Sequence, residues 1–316
     1  MPRYHAPLPL SILDLPPEVL ERCVDLSSTP TLLSISLVSR IFNALAIRPL
    51  YRDISLHTAT ALISCCRTLA ARPNAASAVR SLSLYYPYVL PFRHCEGVRR
   101  LSLIQSILSR SPRSTNSTYL HNFYNLIRDA FHVMAELRFL KISTPDHNLI
   151  YALQNCTFPT LEHFECEFTL SLSLIAFLNR HPSISYLQTS SLENISLSSN
   201  HPPPPIVAPS LGYFAGNAQA VQRLAKAPKL RAAFVSWNAI DQQPQLAIQQ
   251  LQMSSQHLRL LSCRRRGWNL DLFDLISACL PHIVALNMAN LLIVDSRPTQ
   301  VRAMLVSSFV SLKDVP

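Results

Sequence analysis

The sequence predicts an α/β chain in which three short N-terminal helices precede an irregular solenoid of stacked strand–helix repeats. Three observations predict this fold class. Apolar anchor residues recur at a similar spacing from residue 137 onward, strand-like alternation follows each anchor, and amphipathic helical patterns separate the strands. Apolar residues make up 48% of the 316 residues and charged residues 15%, which favours a packed chain over a disordered one.

Residues 12–56 form the first predicted unit, after an N-terminal tail at 1–11. Pro16 and Pro17 suit the first turn of a helix, because the N–H groups of that turn have no intrahelical partner to lose. Glu18 follows them, where a negative charge opposes the positive end of the helix. The pattern therefore predicts that the first helix starts at these prolines.

Two more helices are predicted before residue 50. The second begins at Thr29 or Thr31, and the third begins at Ser39 and ends before Pro49, since proline disrupts a helix interior. Residues 50–56 then alternate as in a strand. Three helices this short cannot bury all of their apolar side chains on one another. Part of that surface is therefore either covered by the rest of the chain or offered to a partner.

The order of these segments resembles the F-box family. Residues 15–18 read Leu-Pro-Pro-Glu, residues 37–40 read Leu-Val-Ser-Arg with Phe42 close behind, and residues 49–52 read Pro-Leu-Tyr-Arg. A tryptophan that is common near Phe42 in the family is absent here.

The F-box resemblance implies a substrate receptor of an SCF-type cullin–RING ubiquitin ligase, which performs no covalent chemistry itself. Its partners would be a Skp-family adaptor, through it a cullin, and a target protein that the sequence does not identify. The resemblance implies buried anchors in the adaptor interface and two residues at its polar rim. The anchors are Leu15, Pro16, Leu20, Val38 and Phe42, and the rim residues are Glu18 and Arg40.

Residues 57–133 are predicted to contain linker helices and an irregular first repeat. Residues 101–108 and 119–134 have helical patterns on either side of a polar loop at 109–118.

The repeats are predicted to occupy residues 134–316. Successive anchors lie 19 to 29 residues apart, which is typical of leucine-rich repeats. A strand in such an array cannot cover its own apolar face, so neighbouring repeats stack. The anchors are Leu137, Leu161, Ile184, Leu211, Leu230, Leu258, Ile283 and Leu312.

Helical patterns are predicted between these strands at 172–180, 218–226, 244–254, 269–280 and 298–309. A proline-rich stretch at 200–209 predicts a loop that leaves the edge of the solenoid. The asparagine of the repeat consensus is missing after most strands, so the repeats are degenerate and their boundaries inexact. Together with the F-box resemblance, this organisation is similar to that of fungal-type F-box proteins. The chain ends on a predicted strand at 311–313, which indicates either a rudimentary cap or a truncated product.

The net charge of +10 and pI of about 9.4 allow an acidic partner, a membrane surface or nucleic acid. The basic residues are scattered, which argues against nucleic-acid binding. The densest basic run is Arg264, Arg265 and Arg266, followed by Trp268. We interpret it as a basic loop after a repeat strand, and alternatively as a target-binding site for a phosphorylated or acidic segment.

Catalytic and metal-binding patterns are not found in the sequence. It has no GxSxG motif and no glycine-rich phosphate loop, and it predicts neither a cofactor nor a metal site. His163 and Cys166 lie three apart in a predicted strand, so they should point to opposite faces. We interpret the three nearby glutamates as a solvated strand edge or as a patch for a basic ligand. They are Glu162, Glu165 and Glu167. We therefore expect no enzymatic activity.

The dispersed cysteines and the absence of a secretory signal or membrane-spanning run predict a cytoplasmic or nuclear protein. One alternative stays open from the residues alone. In that reading the chain is a non-ligase interaction scaffold, and its F-box-like segment only caps the solenoid.

Overall fold

The computed structural model shows a mixed α/β chain with a large, mostly parallel sheet. The described residues are 12, 15–85, 115–144, 146–189, 204–237, 243–254, 256–265, 270–290 and 308–310.

Three helices open the chain, as predicted. They are α1 (Pro17–Asp25), α2 (Thr29–Ser36) and α3 (Arg40–Arg52). Pro17 occupies the first turn of α1. The hydroxyl of Ser39 caps α3 by accepting a hydrogen bond of 3.3 Å from the N–H of Phe42. The helices share a small core of five buried side chains: Leu20, Val24, Leu32, Phe42 and Ala46.

The predicted end of α3 was wrong, because the helix continues through Pro49 to Arg52. Proline removes one N–H donor from the helix. The turn persists because its side chains pack on both sides. Leu50 packs against the small core, whereas Ile47 and Tyr51 pack against the larger core of the sheet. The sequence pattern predicted residues 50–52 as part of a strand, but they are therefore helical.

A strand, β1 (Asp53–Leu56), ends the first predicted unit. The span predicted as linker helices and a first repeat contains α4 (Ala59–Ala71), α5 (Pro73–Ala78), β2 (Ser81–Tyr85) and α6 (Thr115–His132), and β3 (Phe139–Ser143) follows it. Helix α6 overlaps the helix predicted at 119–134. The helix predicted at 101–108 lies outside the described residues.

The described part of the remaining chain contains both strands and helices, and some strands follow one another directly. The elements are a 3₁₀ helix (His147–Leu153), β4 (His163–Cys166), α7 (Leu172–Arg180), β5 (Tyr186–Thr189), β6 (Ile206–Val207), β7 (Tyr213–Asn217), α8 (Ala218–Gln222), β8 (Leu224–Lys226), β9 (Ala232–Ser236), α9 (Pro244–Ser254), β10 (Leu260–Arg265), α10 (Leu270–Cys279), β11 (Ala285–Asn290) and β12 (Ser308–Val310).

Within the described residues, the strands form one ten-stranded sheet in the order β1-β2-β3-β4-β5-β7-β9-β10-β11-β12. All neighbours are parallel except β12, which pairs antiparallel with β11. Strands β6 and β8 form a separate parallel pair. The order along the sheet follows the order along the chain, as expected when neighbouring strand–helix units stack.

The predicted anchors set the start of the strands. Each main-sheet strand from β3 to β11 begins two residues after an anchor, from Leu137 before β3 to Ile283 before β11. These seven anchors are all buried. Leu312 lies outside the described residues. Helices α7 and α9 have the bounds that the sequence predicted.

Two other predictions were wrong in part. The helix predicted at 218–226 ends at Gln222, and β8 follows it, because β8 pairs with β6 in the stretch predicted as a proline-rich loop. Residues 308–309, predicted to end a helix, belong to β12, because their backbone pairs antiparallel with β11. The rest of that predicted helix lies outside the described residues.

The sheet has two unlike faces. In β2 to β5, β7 and β9 the second and fourth residues are buried, and they share one core with helix side chains such as Phe131 and Phe177. The first and third residues of these strands are partly exposed on the other side. We call this second side the open face.

Candidate functional site

Exposed apolar side chains concentrate on the three N-terminal helices and on the residues that flank them. Among the described residues, fourteen large hydrophobic side chains are exposed, and eight of them lie between residues 12 and 41. We call these eight the N-terminal apolar surface: Ile12, Leu15, Val19, Leu26, Leu33, Leu37, Val38 and Ile41. Leu37 is 86% exposed and Val38 is 73% exposed. A concentration of this kind is typical of a surface that another protein covers.

Helical spacing explains part of this outward side. Leu33 and Leu37 are four residues apart in α2 and at its C-cap, so they lie side by side. Val38 lies in the turn that follows and Ile41 in the first turn of α3, and both are exposed. Leu32 and Phe42 point the other way, into the small core. The two sets divide the helices into an inward and an outward apolar side.

Backbone hydrogen bonds hold the turn between α2 and α3 in place. The N–H of Leu37 donates to the carbonyl of Ser34 at 3.2 Å, and the N–H of Val38 donates to Ile35 at 3.0 Å. The side-chain amide of Asn43 donates to the carbonyl of Ser36 at 3.1 Å. The two most prominent side chains of this turn are therefore presented by an ordered backbone, which lowers the entropy cost of binding.

The predicted adaptor residues divide into two groups. Leu15, Pro16, Glu18, Val38 and Arg40 are exposed, so a partner can reach them.

The prediction that Leu20 and Phe42 contact the adaptor directly needs correction, because these side chains are only 4% and 7% exposed. A unit of three short helices needs its own core, and these side chains supply it. Sequence reasoning missed Leu33, Leu37 and Ile41. No pattern in the sequence separated them from the core residues, because apolar residues occupy both sides of α2 and of the start of α3.

The second predicted site is only partly within the described residues. Arg264 and Arg265 belong to β10 rather than to a loop after it, which corrects the prediction of a basic loop. Adjacent residues of a strand point to opposite faces, so these two arginines do not form one cluster. Arg266 and Trp268 lie outside the described residues.

An unpredicted ladder of aromatic rings crosses the open face. The first residues of β3, β4, β5 and β7 are in register, and their rings stack with centroid separations of 4.3 Å (Phe139–His163), 3.8 Å (His163–Tyr186) and 4.2 Å (Tyr186–Tyr213). Phe234 of β9 continues the row at 5.1 Å from Tyr213. Aromatic side chains on a partly exposed sheet are typical of protein interfaces.

A compensated charge cluster lies beside the ladder. Lys141 Nζ lies 2.6 Å from Glu165 Oε2, and His163 Nε2 lies 2.8 Å from Glu165 Oε1. Burial alone would raise the pKa of the Glu165 carboxyl, but hydrogen bonds from Lys141 and His163 outweigh burial and lower that pKa. Glu165 is therefore a paired carboxylate, not the solvated one that the sequence suggested.

The cysteine of the same strand has a different environment. Cys166 is buried on the helix side while His163 is partly exposed on the open face, which confirms that the two point to opposite faces. Burial raises the pKa of the Cys166 thiol to about 12, so it stays protonated and unreactive. No group of three His, Cys, Asp or Glu side chains placed to hold a metal ion occurs in the described part of the chain.

Comparison with known families places the three helices in a recognised domain. Residues 12–51 match the F-box domain. A search of curated proteins found no match to the chain. Proteins with an F-box are generally non-catalytic adaptors, and the domain implies a Skp-family partner and a cullin-linked complex. In the described segments, no helix is both long enough and apolar enough to cross a bilayer.

Proposed function

We propose that this chain is the substrate-recognition subunit of an SCF-type cullin–RING ubiquitin ligase. In this proposal residues 12–56 bind the Skp-family adaptor, and residues 134–316 hold a target protein in the cytoplasm or nucleus. The observation that supports it most strongly is the N-terminal apolar surface, which lies within the F-box match. The contribution to catalysis is proximity, because a target lysine is held near a ubiquitin-charged enzyme that other subunits supply.

The adaptor contact is proposed to centre on the turn between α2 and α3. Leu37, Val38 and Ile41 would enter apolar pockets of the adaptor, and Leu15 would extend the contact toward α1. Glu18 and Arg40 are exposed beside them and would form the polar rim. Leu20 and Phe42 would act indirectly, by fixing the helices from inside. Most of the binding energy of such an interface comes from a few buried apolar anchors.

The target-binding part is proposed to be a solenoid of degenerate leucine-rich repeats, as in fungal-type F-box proteins. The anchor spacing and the sequential parallel sheet support this assignment. The aromatic ladder of the open face is the proposed target contact. Its rigid, partly exposed rings offer a large contact area, and binding costs them little side-chain conformational entropy. The basic run from Arg264 to Arg266 with Trp268 stays a second proposed contact.

A pair of matched double variants tests the adaptor contact. Leu37→Ala with Val38→Ala should weaken binding to the purified adaptor on the order of 100-fold, because two anchors are truncated together. Leu246→Ala with Met253→Ala removes two exposed apolar side chains from α9 and should leave affinity unchanged. Calorimetric titration measures both. Equal effects of the two pairs, or none for the first, would refute the proposed contact.

The alternative function is a scaffold whose three helices only cap the sheet. The packing of Ile47 and Tyr51 against the large core favours it, because α3 does cover one end of that core. Deleting residues 1–56 does not discriminate, since the deletion also removes β1 and uncovers β2. The titration does discriminate. If the three helices are only a cap, the N-terminal apolar surface has no binding function. The wild-type chain should then not bind the adaptor.

A further inference from the structure

A basic cavity lies at the start of three neighbouring strands, away from the N-terminal helices. Its volume is about 870 Å³. The residues that line it come from the turns before β7, β9 and β10. Gly212, Lys229, Arg231, His257 and Arg259 are among them, together with Ser210.

The strand register places the two arginines next to each other. Arg231 directly precedes β9 and Arg259 directly precedes β10, and the N–H of Arg259 donates to the carbonyl of Arg231 at 2.8 Å. The N–H of Arg231 donates in the same way to Gly212, at 2.8 Å. Neighbouring strands lie about 4.8 Å apart, so the three residues form one row. Gly212 lines the same cavity and brings no side chain into it.

The positive charge in this row is not compensated by nearby carboxylates. Within the described ranges, no Asp or Glu lies within ion-pair distance of Lys229, Arg231 or Arg259. Elsewhere on the sheet, by contrast, Lys141 and Arg80 each have a glutamate partner. Two cations in adjacent positions of paired strands repel each other. An anion bound between them would relieve this repulsion.

The donor set suits phosphate better than other anions. Two guanidinium groups can each donate two parallel hydrogen bonds to a tetrahedral anion, and an ammonium adds a compact charge. The Ser210 hydroxyl supplies a further donor. None of the described lining residues is Phe, Tyr or Trp, so the cavity offers no such ring on which a nucleic-acid base could stack. The basic row also spans only three strands, which is short for a nucleic-acid backbone.

We propose that this cavity binds a phosphate monoester, either on a phosphorylated protein side chain or on a free small molecule. The proposal does not depend on adaptor binding.

Fluorescence anisotropy of the full-length chain tests it with four probes. They are a labelled degenerate peptide pool centred on phosphoserine, the same pool centred on serine, phenyl phosphate as competitor, and a labelled single-stranded oligonucleotide. The phosphoserine pool should bind at least about tenfold more tightly than the serine pool, because charged hydrogen bonds dominate the contact. Displacement by equimolar phenyl phosphate indicates a free compound as ligand, and resistance to it indicates a protein side chain.

Three single substitutions locate the site. Arg231→Gln and Arg259→Gln should each weaken phosphoserine binding about tenfold or more. Arg138→Gln removes the same charge at the equivalent position before β3, outside the cavity lining, and should have little effect. All three arginines are partly or fully exposed, so a thermal melt should show unchanged folding.

Several results would overturn the proposal. They are equal binding of the two pools, an equal loss in all three variants, binding of the oligonucleotide alone, and binding of no probe. Binding of the adaptor is measured in a separate titration. The phosphate test therefore keeps its meaning even if the proposed ligase function proves wrong.

Discussion

At the residue scale, single positions show how closely the strands pack. Gly216 is buried as the fourth residue of β7. A Cβ added there would lie 2.5 Å from Thr189 Oγ1 and 2.7 Å from Phe214 Cζ. Phe214 is itself fully buried, so a displaced ring would have to move other core side chains. Glycine is therefore required at this position by the adjacent side chains.

Gly216→Ala should lower the free energy of unfolding by about 1–3 kcal/mol, the usual cost of overpacking. Gly212→Ala is the control, because its Cβ would lie 3.7 Å from the carbonyl oxygen of Ser185 and 3.9 Å from that of Lys229, which is ordinary contact. Urea denaturation measures both variants. An equal loss of unfolding free energy in both variants would show that crowding around Gly216 is not the cause.

The Glu165 carboxylate should make stability depend on pH. Its pKa in the folded chain lies below the ordinary value of 4.5. The stabilisation is therefore fully present well above pH 4.5, and it is lost as the pH falls through the lowered folded pKa.

Glu165→Gln should therefore destabilise the chain near pH 7, and the difference from wild type should shrink below about pH 4.5. Glu167→Gln, at an exposed position of the same segment, is the control. Denaturation midpoints between pH 7 and pH 3 provide the measurement. A difference that stays constant over this range would contradict the proposed pairing with Lys141 and His163.

At the scale of elements, α3 shows packing overriding local preference. Pro49 lies inside the helix, where it removes an N–H donor. The helix persists because Leu50 and Tyr51 pack into two different cores. This proline should therefore lower the stability of a helix whose position depends on tertiary contacts.

Pro49→Ala should raise the free energy of unfolding by about 1–3 kcal/mol, since the helix recovers a hydrogen bond and loses a steric clash. Pro73→Ala is the matched control. That proline begins α5, where no helical hydrogen bond is lost. Thermal and urea unfolding of both variants compare the two positions. A gain from Pro73→Ala as large as that from Pro49→Ala would contradict the explanation.

Sequence patterns predicted elements well where the determinant is local. The anchors place each strand from β3 to β11 in the main sheet, and the bounds of α7 and α9 follow from apolar spacing alone. Prediction was wrong at Leu224–Lys226, because a helical pattern there is overruled by pairing with Ile206–Val207. The aromatic ladder was missed because it depends on the register of four strands.

The candidate site was predictable by position but not in its details. Motif order identified the F-box region and the exposed Leu15 and Val38. It did not separate the inward side of each helix from the outward side, so Leu20 and Phe42 were assigned to the surface and Leu37 was not. Which side turns inward depends on how three helices pack, and that is a tertiary property.

At the scale of the whole molecule, the N-terminal helices and the sheet meet without a flexible linker. Helix α3 ends at Arg52 and β1 begins at Asp53. Ile47 and Tyr51 before this junction, and Ile54 and Leu56 after it, all pack against the large core. The joint therefore resists bending. A target held by the sheet would keep a defined orientation to an adaptor on the helices, as proximity catalysis requires.

The central claim is that the N-terminal apolar surface is a binding site for another protein. Hydrogen–deuterium exchange of the full-length chain, with and without a purified Skp-family adaptor, tests it most directly. The claim predicts slower amide exchange at residues 26–43, and unchanged exchange in β9, β10 and β11. Unchanged exchange at residues 26–43 at a saturating adaptor concentration, or slowing confined to the sheet, would contradict it.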